Sequence, residues 1–473
     1  MNDIVIIGAG IIGCSIAREL SKYQLDITVI EKNLDVAEGT SKANSGIVHA
    51  GFTEKKNTLK GSLVAKSNKM FDILSDELEF SMVRNGALVL AYDDNDVRKI
   101  EQLKKNGEEL GITGLSILDT EAVKRKQGNI TKGVKAALYA ETSAIVNPYD
   151  MTIAMAESAA LNGVNFKFGA NVVNIEKNGD IHTIYLENGE DIKSRFVINA
   201  AGLFGAEINN MMNEEKYNIR GVKGEYCLFD KIAGAAVKNT LFRVPGEKGK
   251  GVLVTPTTDG NLIVGPNSQK EQSVSTTREG IDEIIEKASK VIDELPVKRV
   301  ITSFSGVRAK TESGDFIIEA LKDNEQFINV IGIDSPGLTC APAIAEYVSD
   351  MISKNLIMIK KHNFISKRHK MVRFAELSVE DKNKLIKDNP EYGRIVCKCE
   401  LVTEGEIIDA IHRVPGAVTL DGVKRRTRAM MGGCQGMGCM LPICKIMSRE
   451  LNVDISKINK NSAYSPAVGF REV

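Results

Sequence analysis

The sequence lacks a long apolar run, an excess of charge of either sign, and an internal repeat. Because no stretch of about eighteen apolar residues occurs, no transmembrane helix is predicted. The charges of the 62 basic and 62 acidic residues cancel, so the net charge does not indicate binding to nucleic acid or to an acidic membrane. The apolar N-terminus contains Asp3 and no basic segment, and it runs into a glycine turn, which indicates a strand rather than a signal peptide. With 473 residues, 43% of them hydrophobic, the chain can form about two or three domains.

The eight cysteines are too few for a disulfide framework in a chain of this length. Cys14, Cys227 and Cys340 are scattered among apolar or helical neighbours, and we expect buried thiols there. The other five lie between Cys397 and Cys444, which indicates a metal site. Reduced thiols and a metal site both fit a cytoplasmic protein.

The first thirty residues predict a nucleotide-binding βαβ unit. Residues 4–30 have the pattern strand, turn, helix, strand, and Gly8, Gly10 and Gly13 form G-x-G-x-x-G between the first strand and the helix. Such glycines allow a tight turn that brings backbone amides and a helix N-terminus to a pyrophosphate. Glu31 ends the second strand, where its carboxylate can accept the ribose hydroxyls. The motif by itself leaves both FAD and NAD open.

The middle of the chain predicts further helices and strands. A helix is expected over residues 148–161, and residues 220–319 are mostly alternating strands, with a hairpin at Asp259-Gly260. Residues 355–392 are rich in lysine and weakly periodic, so we expect a linker there.

Three later motifs favour FAD. The stretch "FVINAAGLFGAEI" resembles the second dinucleotide-binding stretch of the D-amino-acid oxidase superfamily, and "IGIDSPGLTCAPAIAEYV" resembles its closing stretch. The flavin-facing segment "TSKANSGIVHAGF" (residues 40–52) resembles that of the L-2-hydroxyglutarate dehydrogenase family and aligns with that of the glycerol-3-phosphate dehydrogenases. The likeness covers roughly residues 1–350 and implies FAD as cofactor. It also implies flavin contacts from three groups of residues: Ser41, Asn44 and Ser45; Val173, Ala201 and Gly202; and Gly337, Leu338 and Thr339, whose amides would stabilise the negative charge of the reduced flavin.

A flavin-dependent alcohol dehydrogenase needs a base and an anion receptor beside the flavin. His49 is the candidate base; the alternative is a histidine that holds the structure or only positions substrate or flavin. The superfamily resemblance makes Arg308 the receptor for the substrate's carboxylate or phosphate, and the alternative is a structural or surface arginine. Lys223 and Lys250 are secondary candidates, each better explained as a solvated lysine.

The residues after His-x-Gly depart from the glycerol-3-phosphate dehydrogenases. Those enzymes usually carry Arg-Tyr there for the phosphate, whereas this chain has Phe52-Thr53. The difference weakens the phosphate interpretation and leaves a 2-hydroxy acid open.

The C-terminal cysteines predict an iron–sulfur site. Cys397 and Cys399 form C-x-C, and Cys434 and Cys439 form a glycine-flanked C-x4-C, so four thiolates can hold a [2Fe–2S] cluster with two on each iron. Zinc is the competitor, but structural zinc sites favour wider spacings in both halves. The pattern resembles the bacterioferritin-associated ferredoxin-like [2Fe–2S] domain. Cys444 is expected to be a buried thiol on the helix that follows.

Two further features of the tail bear on its structure. Thr403 with Glu406 predicts a capping box that begins a helix. The run "KRRTR" (Lys424 to Arg428) either offsets the cluster's charge, docks a partner, or is a solvated charge run.

The whole arrangement resembles the large subunit of the anaerobic glycerol-3-phosphate dehydrogenases and amine-oxidising relatives with the same tail. It predicts a dehydrogenase that oxidises a small anionic secondary alcohol, with sn-glycerol 3-phosphate as first choice, and passes electrons through [2Fe–2S] to a redox partner. The alternatives are a 2-hydroxy acid of the L-2-hydroxyglutarate type, an amino acid or amine, or a non-catalytic electron-transfer subunit. We expect the protein in the cytoplasm, or at a membrane surface through a partner subunit.

The expected fold class is α/β. A discontinuous Rossmann-like FAD-binding domain would be joined by an antiparallel β-sheet substrate domain and a small helical [2Fe–2S] domain. The expected limits are 1–84, 142–219 and 320–354 for the FAD-binding domain; 85–141 and 220–319 for the substrate domain; 355–392 for the linker; and 393–473 for the [2Fe–2S] domain.

Overall fold

The computed structural model describes residues 1–244, 251–271 and 273–468. Its first sheet has eight strands and contains the predicted βαβ unit. In chain order these strands are β1 (Asn2–Ile7), β2 (Ile27–Glu31), β9 (Asn165–Phe168), β10 (Val172–Asn178), β11 (Ile181–Leu186), β12 (Asp191–Asn199), β18 (Ile317–Leu321) and β19 (Asn324–Ile331). Strand β1 lies parallel between β12 and β2, with Ile4 opposite Phe196 and Ile27. These central strands are continuous apolar runs because both faces of the sheet are buried.

Five helices accompany this sheet: α1 (Ile11–Leu20), α2 (Leu59–Leu78), α5 (Pro148–Leu161), α6 (Gly205–Met212) and α9 (Gly337–Ile352). Helix α1 packs against both α5 and α9, and the largest hydrophobic core of the protein lies among them. Helix α5 has the predicted bounds. Its N-cap Asn147 accepts a hydrogen bond from the amide of Asp150, and Pro148 occupies its first turn.

The second sheet also has eight strands, in the spatial order β17 (Val300–Lys310), β13 (Arg220–Phe229), β16 (Leu262–Gly265), β15 (Leu253–Pro256), β14 (Thr240–Arg243), β5 (Ala87–Ala91), β7 (Ala136–Ala140) and β6 (Leu115–Asp119). All neighbours are antiparallel except β14 and β5. The predicted hairpin at Asp259-Gly260 joins β15 to β16. The helices of this region are α3 (Asp94–Glu109), α4 (Thr120–Lys126), α7 (Lys231–Gly234) and α8 (Arg278–Ala288).

A small three-stranded sheet carries part of the flavin-facing segment. It consists of β3 (Ile47–Val48), β8 (Ala144–Val146) and β4 (Met82–Val83), with β8 in the middle. Pairing of Val48 with Ala144 fixes the backbone just before His49.

The tail has its own small core around the cysteines. Its elements are α10 (Val379–Asp388), β20 (Ile395–Cys397), β21 (Val402–Thr403), α11 (Glu404–His412), α12 (Leu420–Thr427) and α13 (Met440–Glu450). The predicted capping box of Thr403 and Glu406 is confirmed at the start of α11. Helix α10 lies in the segment expected to be a linker; its N-cap Ser378 accepts from the amide of Asp381. Among the helices in the described part of the chain, none combines the length and apolar character needed to span a bilayer.

Candidate active site and cluster site

The glycine turn between β1 and α1 is packed so closely that two of its glycines have no room for a side chain. Gly8 has φ +108°, and a Cβ there would lie 2.5 Å from the carbonyl oxygen of Ala200. A Cβ on Gly13 would lie 1.9 Å from the carbonyl oxygen of Gly8. The turn therefore brings the first helical turn of α1 directly against the strand end, as a pyrophosphate cradle requires.

Two side chains from other segments complete this cradle. The Glu31 carboxylate accepts hydrogen bonds from the amides of Ala9 and Asn33, both 2.9 Å long. The hydroxyl of Ser41 accepts from the amide of Ile11 (2.9 Å), one of the helix amides without an intrahelical partner. The geometry places a carboxylate at the turn and a hydroxyl at the helix N-terminus.

Asn44 shapes the flavin-facing segment itself. Its side-chain nitrogen donates to the carbonyl oxygens of Thr40 and Ser41, and its side-chain oxygen accepts from the amide of Gly46. A Cβ on Gly46 (φ +64°) would lie 2.3 Å from the carbonyl oxygen of Val146. Ser45 is half-buried between these two residues.

The second predicted stretch reaches the same turn. Ala201 follows the Ala200 carbonyl that faces Gly8, and Gly202 has φ +58° with open space where a Cβ would stand. Val173 lies at a bulge of β10 and is 49% exposed. Because the extra residue of a bulge is left out of the strand ladder, its backbone groups are available to a ligand.

The third stretch joins the flavin-facing segment through Thr339. Its buried hydroxyl accepts from the amide of His49 (2.9 Å) and donates to the carbonyl oxygen of Ile47 (3.3 Å). The Gly337 amide donates to the carbonyl oxygen of Asp334 (2.6 Å). The first helical hydrogen bond of α9 runs from the amide of Cys340 to the carbonyl oxygen of Pro336. The amides of Leu338 and Thr339 therefore precede the helical hydrogen-bond pattern.

His49 lines a pocket that also contains Arg243, which the sequence did not predict as a site residue. Phe52, Thr53, Val89 and Phe242 contribute to its walls, and Arg243 adds a guanidinium. The Cζ atom of Arg243 lies 4.4 Å from the ring centroid of Tyr92, an arrangement that orients the side chain. In the sequence, Arg243 is marked only by its position at the end of the apolar run "TLF". Only the fold brings this strand to His49.

Arg308 occupies a different place, on β17 and outside the lining of that pocket. Its guanidinium donates to the backbone carbonyl oxygens of Val222 (3.3 Å) and Asn267 (3.2 Å). Among the described residues, no carboxylate lies within ion-pair distance of it. Near Arg308, β17 packs against the flavin-facing segment, since Thr40 donates to the carbonyl oxygen of Val307 (2.6 Å). Arg308 is half-buried, and backbone carbonyl oxygens position its guanidinium.

The structure describes one of the two secondary candidate lysines, Lys223. Lys223 is fully buried rather than solvated: its ammonium lies 2.7 Å from the Glu271 carboxylate and 3.4 Å from that of Glu225. The expectation of a solvated lysine is therefore wrong, because β13 lies inside the second sheet. Lys250 lies outside the described residues.

The four predicted ligand cysteines converge in the tail as two pairs. The sulfurs of Cys399 and Cys434 are exposed and 3.5 Å apart, while Cys397 and Cys439 are buried and in hydrogen-bond contact with each other. Within the described residues, no three His, Cys, Asp or Glu side chains form a cage for a single metal ion. Two pairs of thiols fit two irons better than one zinc.

The environment of these sulfurs also bears on their charge. The amide of Gly438, the neighbouring thiol of Cys399 and the amide of Gly436 lower the pKa of Cys434. Burial, and after it the neighbouring Cys397, raise the pKa of Cys439 to about 12. Amide hydrogen bonds to cluster sulfurs are among the levers by which proteins set a cluster's potential. The remaining cysteine of the tail, Cys444, lies on α13 and is buried, as predicted. Cys14, Cys227 and Cys340, elsewhere in the chain, are buried as well.

The run "KRRTR" is not a solvated charge run. Arg425, Arg426 and Arg428 are all buried and paired with acidic residues outside α12. The charges face inward because this surface of α12 packs on the rest of the protein, which the local sequence could not indicate.

The fold and the glycine turn are those of a dinucleotide-binding oxidoreductase, and comparison with known proteins shows which family. The family model for FAD dependent oxidoreductases matches residues 3–351, and the model for the BFD-like [2Fe-2S] binding domain matches residues 395–449. The chain belongs to the FAD-dependent oxidoreductase family and carries a BFD-like [2Fe–2S] binding domain at its C-terminal end. The predicted fold class and both predicted cofactors, FAD and a [2Fe–2S] cluster, are confirmed.

Individual relatives narrow the class further. A glycerol 3-phosphate dehydrogenase of Caloramator mitchellensis is 47% identical over 466 residues, which cover 98% of this chain and 97% of that protein. A glycerol 3-phosphate oxidase of Mycoplasma genitalium is 30% identical over 373 residues, or 76% of this chain and 97% of the oxidase. The solved structure of dithionite-reduced L-alpha-glycerophosphate oxidase from Mycoplasma pneumoniae with FAD bound has a TM-score of 0.74 and 27% identity, covering 78% of this chain and 98% of that one. The chain is an FAD-dependent dehydrogenase.

Proposed function

We propose that this dehydrogenase oxidises sn-glycerol 3-phosphate at its secondary hydroxyl to dihydroxyacetone phosphate. The observation that carries the proposal is the position of Arg243 in the pocket of His49, next to Phe52 and Thr53. These two residues stand where glycerol-3-phosphate dehydrogenases usually have Arg-Tyr, and an arginine from β14 restores a guanidinium there. The 47% identical relative, named a glycerol 3-phosphate dehydrogenase, supports the same substrate.

The residues of the pocket divide the chemistry between them. When bound, FAD supplies the hydride acceptor. Arg243, in the pocket of His49, binds the substrate phosphate. The imidazole of His49 takes the proton of the substrate hydroxyl, and its backbone is fixed by Thr339. Phe52 and Phe242 exclude water from the reacting atoms.

The tail supports a route for the electrons other than oxygen. The Mycoplasma genitalium oxidase aligns over 97% of its own length but over 76% of this chain, so about a quarter of the present sequence has no counterpart in that oxidase. We place the exit at Cys399 and Cys434, the two exposed cysteines, where a redox partner can approach the cluster. The partner would accept electrons one at a time.

Anaerobic rapid mixing of the holoenzyme with single candidate substrates tests the proposal. sn-Glycerol 3-phosphate should bleach the flavin absorbance, whereas L-2-hydroxyglutarate and glycine should not. Arg243→Lys keeps the charge but loses the planar fork, so it should raise the substrate concentration needed for half-maximal bleaching. Bleaching by L-2-hydroxyglutarate alone would contradict the substrate proposal. A reduced flavin beside a cluster that stays oxidised by electron paramagnetic resonance would contradict the exit route.

A further inference from the structure

Two arginines of helix α12, in the [2Fe–2S] domain, form ion pairs with one loop of the first sheet. Arg426 forms a two-pronged contact with Asp35, with nitrogen–oxygen distances of 2.7 and 2.8 Å. Arg425 reaches Asp35 at 2.9 Å and Glu38 at 2.5 Å. The side chains of Asp35 and Arg426 are both 0% exposed. We call these two arginines the α12 clamp and residues 35–38 the clamped loop.

The clamped loop in turn supports the glycine turn of the FAD site. The amide of Ala37 donates to the carbonyl oxygen of Ala9 (3.0 Å), the residue between Gly8 and Gly10. Ala37 has φ +62°, a left-handed conformation that is costly for alanine and persists only where the surroundings impose it. Asp35 helps to impose it, because its carboxylate also accepts from the amide of Val36 (2.8 Å).

A second arm runs from the clamp to the start of α1. Glu38 pairs with Lys42, which lies in the turn that contains Ser41. The hydroxyl of Ser41 accepts from the first amide of α1 at Ile11. Both arms therefore end at the backbone that cradles the cofactor's pyrophosphate.

The clamp holds its carboxylate in the charged form. Burial would raise the pKa of Asp35, but Arg426, and after it Arg425, outweigh burial and keep the pKa below its usual value. A buried carboxylate that lost both arginines would be left without compensation, so the loop would have to move or the carboxylate would have to take up a proton.

We propose that Arg425 and Arg426 are positioning residues for FAD, so that the [2Fe–2S] domain completes the FAD site from outside the FAD-binding fold. By linkage, bound FAD must then strengthen the docking of α12 to the same extent as docking strengthens FAD binding. The consequence is that the chain retains its flavin firmly only when the domain that drains the flavin's electrons is docked.

The test measures FAD release from the holoenzyme on dilution, followed by the rise of free-flavin fluorescence. Arg426→Lys keeps the charge but loses the fork, and it should speed FAD release by about tenfold, the equivalent of about 1.4 kcal/mol. The matched control is Arg428→Lys, since Arg428 follows the same helix but pairs with Asp259 and Glu400 instead of the clamped loop. The control should release FAD within about twofold of the wild-type rate. Equal release from both variants, or an unchanged rate in Arg426→Lys, would overturn the proposal.

A measurement on the wild-type chain keeps the proposal falsifiable if the variant fails to fold. Amide hydrogen exchange over α12 is compared between the holoenzyme and the same protein freed of FAD, with its cluster intact by visible circular dichroism. We expect slower exchange in residues 420–427 when FAD is present. Identical exchange in the two forms would refute the coupling. Neither measurement uses a substrate, so both are independent of the proposed activity.

Discussion

Replacement of Gly13 by alanine has two opposing effects on stability: it raises helix propensity, and it introduces a steric clash. Propensity alone favours alanine in the middle of a helix by about 1 kcal/mol. The new Cβ, however, would lie 1.9 Å from the carbonyl oxygen of Gly8, whereas ordinary contacts begin at 3.4 Å. Helix α1 must therefore withdraw by about 1.5 Å, the difference between these two distances. Overpacking costs about 1–3 kcal/mol, and the upper end applies because no rotamer change can move a backbone oxygen.

The balance is a net loss of about 1–2 kcal/mol, which should appear mainly as weaker FAD binding. The withdrawal carries the N-terminus of α1 away from the pyrophosphate, so FAD release on dilution should be about tenfold faster. Gly128→Ala is the control, since Gly128 lies in an exposed turn with nothing within 4 Å of the added Cβ. A Gly13→Ala protein with higher thermal stability and wild-type FAD release would show that propensity outweighs the contact and refute this reasoning.

Three other predictions concern the cluster, the base and a buried carboxylate. Anaerobically purified protein should hold about two iron and two sulfide per chain, and Cys434→Ser should lower both by chemical assay while leaving FAD bound; stoichiometric zinc in place of iron would contradict the cluster. His49→Ala should slow stopped-flow reduction of the flavin by about 10²–10⁴-fold, and an unchanged rate and pH profile would show that another group takes the proton. Burial would raise the pKa of Glu157, but hydrogen bonds and charges from Arg413 and Arg368 outweigh it and lower that pKa below 4.5. The carboxylate therefore contributes stability above its unfolded pKa that is lost as pH falls through the lower folded value. Thermal melts of Glu157→Gln should show a lower melting temperature at neutral pH and a flatter fall in acid; a fall as steep as in the wild type would assign the acid sensitivity elsewhere.

The features that the sequence predicted are those encoded within short stretches. The glycine turn needs residues 8–13 and the strand that precedes them, and the capping box needs only Thr403 and Glu406. The C-x-C and C-x4-C pairs likewise have local signatures that survive folding. For the capping box and for Gly13 the physical cause, a hydrogen bond or a forbidden Cβ, lies within a few residues of the motif.

The features that it could not predict depend on contacts between distant segments. Arg243 enters the pocket of His49 through the packing of the second sheet on the flavin-facing segment, and no local pattern marks it. Lys223 resembles a surface lysine until β13 is placed between β16 and β17. The basic run in α12 is the same case, since its acidic partner Asp35 is 391 positions away from Arg426. Charge is therefore a poor guide to exposure wherever the partner charge comes from another part of the chain.

The same contacts bear on how the flavin and the cluster communicate. Val146, whose carbonyl oxygen faces Gly46 of the flavin-facing segment, is followed closely by Tyr149 at the start of α5. The hydroxyl of Tyr149 donates to the sulfur of Met431 at 3.5 Å, and the glycine after Met431 packs against Cys399. The two cofactor sites are thus joined through neighbouring, packed residues. The buried ion pairs of Arg425 and Arg426 with Asp35 and Glu38 join the tail to the loop that supports the glycine turn.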